Sequence, residues 1–282
     1  MNTIQRKVKL VVISDVHLGT YGSKAIELSD YLRSIEPEIL VLNGDIVDVW
    51  QFSKHYFPPT HMQVIKCITS LLSKGTKVYY ITGNHDEMLR KFKGFKIGNF
   101  EIQNKVILTL ETGKAWIFHG DVFDTTMKHS KWLAKLGGKG YDLLIILNTL
   151  MNWVSMKMGK GKISLSKKVK DSVKGIVKHV NNFEETAANI SIENNYDYVV
   201  CGHIHQPKIR EITNSKGKTT YLNSGDWVEN STALEYDNGI WSIYKHKSNL
   251  NSHYDDEIKE LEIALDYNEL IKDLLNQSTI NS

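Results

Sequence analysis

Apolar runs of strand length alternate with helical periods along the first 121 residues. Val8 to Ser14 is rich in β-branched residues and predicts a strand, with Asp15 opening the loop after it. Ala25 to Ile35 has helical spacing, and Glu38 to Leu42 predicts a second strand. Met62 to Ser73 predicts a helix with Val64, Ile65, Ile68, Leu71 and Leu72 on one face. Lys77 to Thr82 and Lys114 to Phe118 read as further strands. The rhythm breaks between Asp124 and about Asn195, where the chain is helical in pattern and basic. Asp142 to Met158 carries Leu143, Ile146, Leu147, Leu150 and Val154 at helical spacing, and Gly159-Lys160-Gly161 reads as a turn. A long helix is expected from about Leu165 to Glu193, with Lys167, Lys170, Lys174 and Lys178 opposite its apolar face. Strands return at Tyr196 to Cys201, in a hairpin of Lys208 to Thr213 with Thr219 to Leu222, and near Ser231 to Tyr236 and Gly239 to Lys245. The tail from His246 is polar apart from one amphipathic stretch, and Gln277 to Ser282 is expected to be disordered. Alternating strands and helices predict an α/β domain over 1–245, with a helical basic insert at 124–195 and a partly helical tail at 246–282.

Composition adds little to this picture. The 282 residues suit one large domain with an insertion. They are 41% hydrophobic and 24% charged, with a formal net charge of +3, which alone calls for no polyanionic partner. Cys67 and Cys201 sit beside apolar residues outside any CxxC pattern and are expected to be buried thiols in a reduced compartment. Met1 to Lys9 shows no secretory signal, and no segment approaches the ~20 apolar residues of a membrane span. A cytoplasmic location is expected.

The chemistry lies where the predicted strands end. Asp15-Val16-His17, Gly44-Asp45-Ile46-Val47-Asp48, Gly83-Asn84-His85-Asp86, His119-Gly120-Asp121 and Gly202-His203-Ile204-His205 each close an apolar run. One such cluster would be an ordinary polar strand end. Together they supply the hard oxygen ligands and imidazoles that a two-metal hydrolytic site requires, in the loops where α/β sheets bind ligands. Asp45 follows a buried-looking strand, where a carboxylate is costly unless paired or metal-bound; it is the natural bridge between two ions. Asn84 offers a neutral amide oxygen. His203 and His205 alternate as on a strand, so a loop conformation is needed to aim both inward. His85 stands beside a ligand and is better placed to protonate a leaving oxygen or to stabilise charge on phosphorus. Asp48 could hold the other ring nitrogen of His85, or cap a helix. The remaining histidines, 55, 61, 129, 179, 246 and 253, read as surface or packing residues, with His55 and His61 close enough in sequence to contact substrate.

In this order the five clusters resemble the calcineurin-like metallophosphoesterase superfamily. The resemblance implies a four-layer α/β/β/α sandwich with a helical insertion acting as a cap. It implies one ion held by Asp15, His17, Asp45 and His205, a second held by Asp45, Asn84, His119 and His203, and attack on phosphorus by a metal-bridging hydroxide. Mn²⁺ is the expected metal, with Fe²⁺ or Zn²⁺ also suited to the ligands. His119 through Asp124, then Trp132-Leu133, Tyr141 to Leu144 and Asn223 to Glu229, are similar to the UDP-2,3-diacylglucosamine diphosphatase group of lipid A synthesis. That likeness implies cleavage of the substrate's diphosphate to UMP and an acylated sugar 1-phosphate; the residues themselves put Asn84, His85 and Asp48 at the reacting centre. The insert would then receive acyl chains. Asp124, Lys167, Lys168, Lys170 and Lys174 are the expected substrate contacts, and the lysines could also meet the inner face of a membrane. The group's best-known branch has arginine where this chain has His85. A phosphodiesterase or phosphatase for nucleotides or phosphoproteins therefore stays open, as does a non-catalytic scaffold. No nucleic-acid partner is expected, because the basic residues show no interleaved aromatic platform.

Overall fold

The computed structural model describes residues 5–49, 57–123 and 183–247. Most of the insert at 124–195 and all but two residues of the tail at 246–282 lie outside them. Twelve strands and two helices are bounded within the described residues: β1 (Arg6–Ile13), α1 (Ala25–Ser34), β2 (Ile35–Asn43), α2 (Pro59–Ser73), β3 (Lys77–Ile81), β4 (Lys96–Ile97), β5 (Phe100–Gln103), β6 (Lys105–Leu110), β7 (Gly113–Phe118), β8 (Tyr198–Cys201), β9 (Lys208–Asn214), β10 (Gly217–Asn223), β11 (Thr232–Asp237) and β12 (Ile240–Lys245). Residues 183–193 are also helical.

The strands form two sheets, ordered β12-β11-β1-β2-β3-β5-β4 and β6-β7-β8-β10-β9. β1, β2, β3 and β5 are mutually parallel, as are β7, β8 and β10. Both faces of the central strands are covered, which explains why they read as continuous apolar runs. On β1, Leu10 and Val12 enter the layer between the sheets with Val41, Ile117, Val200 and Leu222. Val11 and Ile13 face the other way and pack under α1 and α2 against Leu28, Leu32, Val64 and Leu71. Beyond the second sheet, Trp116, Phe118, Val199 and Tyr221 meet Phe183 and Ala187 of the last helix. The order of layers is thus helix, sheet, sheet, helix. No described helix is long and apolar enough to cross a membrane.

The junction between the first helix and the second strand differs from the sequence reading. Helix α1 stops at Ser34 and β2 begins at once, with Ile35 already extended at φ −124°, ψ 156°. Pro37 accounts for this, since it has no N–H and disfavours a helical Glu36 before it. Strands β4, β5 and β6 were not anticipated. β4 is short and exposed, β5 is short and only partly buried, and β6 is defined by its hairpin with β7 rather than by a strong alternation. Cys67 and Cys201 are buried free thiols.

His61 is a packing residue. It is buried in the first turn of α2, and its Nδ1 accepts the Gly19 N–H at 2.9 Å, tying the helix to the loop after β1. Burial pulls its imidazole down from 6.5 to about 4. The fold therefore holds His61 neutral where the unfolded chain would protonate it. Its contribution is fully present above pH 6.5 and is lost as pH falls towards about 4. In urea unfolding, the wild type is expected to lose on the order of 3 kcal/mol across that window from this group. His61→Gln should lack that part of the slope; equal slopes would contradict the assignment.

Candidate metal centre

All five clusters converge at the carboxyl ends of parallel strands from both sheets. The loops after β1 and β2 are zipped together beyond the strands: Asp15 N–H donates to Gly44 O at 3.1 Å, and the Val16 and His17 amides donate to Asp45 O at 2.9 Å. Within the second sheet, beyond the ends of β7 and β8, Gly202 N–H donates to His119 O at 3.0 Å. Side chains that are far apart in sequence are thereby fixed within one small volume.

The backbone leaves extended geometry at these points. Asp15 (φ 53°), His17 (52°), Asp45 (54°), His203 (66°) and His205 (51°) are all left-handed. They are five of the eight described non-glycine residues with positive φ. Each such conformation costs roughly 1–3 kcal/mol and tends to gather at functional sites. Asp15 and His17 do not share the face of an extended strand, because β1 has already ended at Ile13. His203 and His205 adopt the loop conformation expected of them. Two glycines give the carboxylates room. A Cβ on Gly83 would lie 2.2 Å from Asp45 Oδ1, and one on Gly202 would lie 2.5 Å from Asp15 Oδ2.

Among the described residues, three groups of side chains have ligand atoms close enough to share a cation: Asp15, His17 and His205; Asp45, His119 and His203; and His17, Asp48 and His85. His205 Nε2 lies 3.2 Å from Asp15 Oδ1, and His119 Nε2 lies 3.2 Å from Asp45 Oδ2. His119 Nδ1 is bonded to Asn43 O at 2.9 Å, so its Nε2 is the atom turned to the centre. Asp48 Oδ2 lies 2.8 Å from His85 Nδ1 and 3.5 Å from His17 Nδ1, so it orients two imidazoles rather than the one foreseen. That leaves His17 Nε2 buried without a hydrogen bond. An imidazole held at one nitrogen by a carboxylate or carbonyl, with the other aimed inward, is the usual arrangement around a metal.

The electrostatics suit positive charge. Burial would raise the Asp15 carboxyl, yet His205 and His119 carry it down to about 2. Asp45 is also buried and is driven well below the usual carboxylate range, chiefly by His119. Burial opposes protonation of His205, but Asp15 lifts it to about 9. His119 is likewise raised by Asp45 and Asp15 against its own burial. The donor set, the buried unbonded His17 Nε2 and the strained left-handed conformations at these residues all fit divalent cations.

Asn84 lies between Gly83 and His85, and the His85 amide donates to Asp45 Oδ1 at 2.8 Å. Asp124, Lys167, Lys168, Lys170 and Lys174 lie outside the described residues, as does His55. Two supports were not identified from sequence. Asp86 accepts the Gly83 N–H at 2.6 Å, the Tyr80 hydroxyl at 2.6 Å and the Ile46 N–H at 3.0 Å, stapling the β2 and β3 loops together. Its place in the third cluster was the only signal. Arg90 pairs with Asp121 and donates to Gly83 O at 3.3 Å, joining the β3 loop to the β7 loop. Nothing in the local sequence marks it.

The profile of the calcineurin-like phosphoesterase family matches residues 8–207. Over 240 residues the chain is 24% identical to a UDP-2,3-diacylglucosamine hydrolase of Aliivibrio fischeri, spanning 84% of this chain and 98% of the relative. A protein of the same name from Blochmanniella pennsylvanica is 26% identical over 218 residues, spanning 74% and 84%. Among solved structures, an archaeal phosphodiesterase is 14% identical at a TM-score of 0.37, with 84% of this chain and 98% of that one covered. A dimetal phosphatase from Danio rerio is 11% identical at 0.39, covering 84% and 95%. The family match extends over well more than half of the sequence, and the chain belongs to the calcineurin-like phosphoesterase family of metal-dependent hydrolases.

Proposed function

We propose that this hydrolase cleaves the diphosphate of UDP-2,3-diacylglucosamine, releasing UMP and 2,3-diacylglucosamine 1-phosphate. The observation that carries the hydrolytic reading is the pair of buried carboxylates, Asp15 and Asp45, each facing an imidazole Nε2 at 3.2 Å. The substrate reading is supported by the relatives of that name, aligned over 84% and 74% of this chain. Asp15, His17, Asp45 and His205 would hold one cation, and Asp45, Asn84, His119 and His203 the other, with Mn²⁺ the preferred metal and Fe²⁺ or Zn²⁺ compatible. When bound, such ions neutralise phosphate charge and make water acidic enough to act as a nucleophile near neutral pH.

The chain's own contribution to the chemistry centres on His85. Asp48 holds its Nδ1, which leaves Nε2 to donate towards the leaving oxygen or to the charge developing on phosphorus. Burial opposes a proton on this ring, but the bond from Asp48 raises its pKa above the ordinary value. A leaving phosphate needs little protonation, whereas an alkoxide needs much. A second reading, a phosphodiesterase for soluble esters, is favoured by this Asp48-held histidine.

Hydrolysis of UDP-2,3-diacylglucosamine with Mn²⁺, run beside the de-acylated UDP-sugar and an aryl phosphodiester, separates the two readings. Preference for the acylated substrate with UMP released is expected. Turnover of the aryl ester alone would keep the hydrolase and remove the lipid-linked substrate. His85→Ala should keep its metal content while kcat falls by roughly 10²–10⁴-fold on an alkyl ester, and by less on the diphosphate. Equal deficits on both would assign His85 to the charge on phosphorus rather than to the leaving oxygen, and loss of metal would make it structural. In Gly83→Ala the new methyl displaces the Asp45 carboxylate. Metal analysis of the purified variant should find fewer than two ions per chain, and wild-type stoichiometry with wild-type kcat would refute the bridging role of Asp45.

A further inference from the structure

Residues 87–98 follow directly on the Gly83–Asp86 loop and present an unusual surface. Met88, Phe92, Phe95 and Ile97 are 48%, 47%, 49% and 65% exposed. Lys91, Lys93 and Lys96 alternate with them and are exposed as well. Among the described residues none of these three lysines forms an ion pair, although Lys91 Nζ lies 5.1 Å from the centre of the Phe92 ring. Glu87 is the one acid in the segment. The expectation that basic residues lack interleaved aromatics does not hold here.

The exposure is built in. Leu89 packs against the core, and Arg90 is clamped to Asp121 and Gly83 O. Gly94 N–H donates to Ile102 O at 2.8 Å, and β4 pairs with β5 at the sheet edge. The backbone is thus anchored on both sides while four large apolar side chains point into solvent. Lysines on an edge strand are an ordinary guard against aggregation. Two phenylalanines, a methionine and an isoleucine exposed within ten residues of chain are not, and apolar exposure this dense points to an interaction surface. Ile97 also lines an open apolar groove of about 670 Å³ together with Ile65, Ile68 and Leu72 of α2.

We propose that residues 88–97 dock this protein on an anionic lipid bilayer, with Met88, Phe92, Phe95 and Ile97 entering the headgroup boundary and Lys91, Lys93 and Lys96 meeting lipid phosphates. Aliphatic side chains beside the aromatics favour a bilayer over a nucleic-acid strand, because methionine and isoleucine offer bases no stacking face. This surface differs from the insert lysines to which the sequence pointed, and the proposal stands whether or not the substrate is lipid-linked.

The test is sedimentation of the full chain with phosphatidylcholine vesicles, with and without phosphatidylglycerol, at low and high salt. Binding is expected only with phosphatidylglycerol, weakened by salt. Replacing all three lysines (Lys91→Gln, Lys93→Gln, Lys96→Gln) should weaken it about 100-fold. Phe92→Ser with Phe95→Ser should weaken it by about 10-fold or more. Both variants should keep the wild-type melting temperature and hydrolysis of a soluble aryl phosphodiester. Absence of binding to anionic vesicles, or binding that survives in both variants, would overturn the proposal. So would a loss confined to the lysine variant and matched by its loss of oligothymidylate binding, which would mark a polyanion site instead.

Discussion

Asp15 and Asp45 sit inside the protein with 0% and 2% of their surface exposed, and a carboxylate taken out of water costs several kcal/mol unless positive charge meets it. Everything around the centre answers that cost. Imidazoles from the opposite sheet face both carboxylates, and backbone amides from His85 and His203 donate to them. Left-handed conformations at five neighbouring positions add strain of their own. A fold that carries two buried anions and this much strain at one point is organised for binding cations there, and the rest of the architecture follows from holding the pieces in register.

The two sheets provide that register. Parallel β1, β2 and β3 place Asp15, Asp45 and His85 at adjacent strand ends, while β7 and β8 bring His119 and His203 from the second sheet. The interlayer of Leu10, Val12, Val41, Ile117 and Val200 fixes the distance between the sheets. Around the candidate metal-binding side chains stand their supports: Asn43 O for His119, Asp48 for His17 and His85, and Asp86 for the Gly83 and Ile46 amides. These determine which ring nitrogen faces inward, so the chemistry depends on groups that never reach the centre.

Much of this was legible in the amino-acid order. Strong apolar runs marked β1, β2, β3, β7 and β8, and the polar clusters at their ends named the residues that the fold assembles. The need for His203 and His205 to point the same way even predicted a loop. What escaped was non-local. β4 to β6 carry weak local signals and become strands only through pairing with one another, β3 and β7. The double hold of Asp48 and the clamps of Asp86 and Arg90 join segments up to 40 residues apart, and no local period encodes them. The start of β2 was readable from Pro37 but was masked by the helical spacing that precedes it.

The central claim is that buried strand-end carboxylates hold two cations with Asp45 between them. Anomalous scattering from crystals soaked in Mn²⁺ tests this most directly. Two peaks are expected, about 3.5–4 Å apart, one beside Asp15, His17 and His205 and the other beside Asp45, His119 and His203. A single peak, or an ion seated among His17, Asp48 and His85, would contradict it.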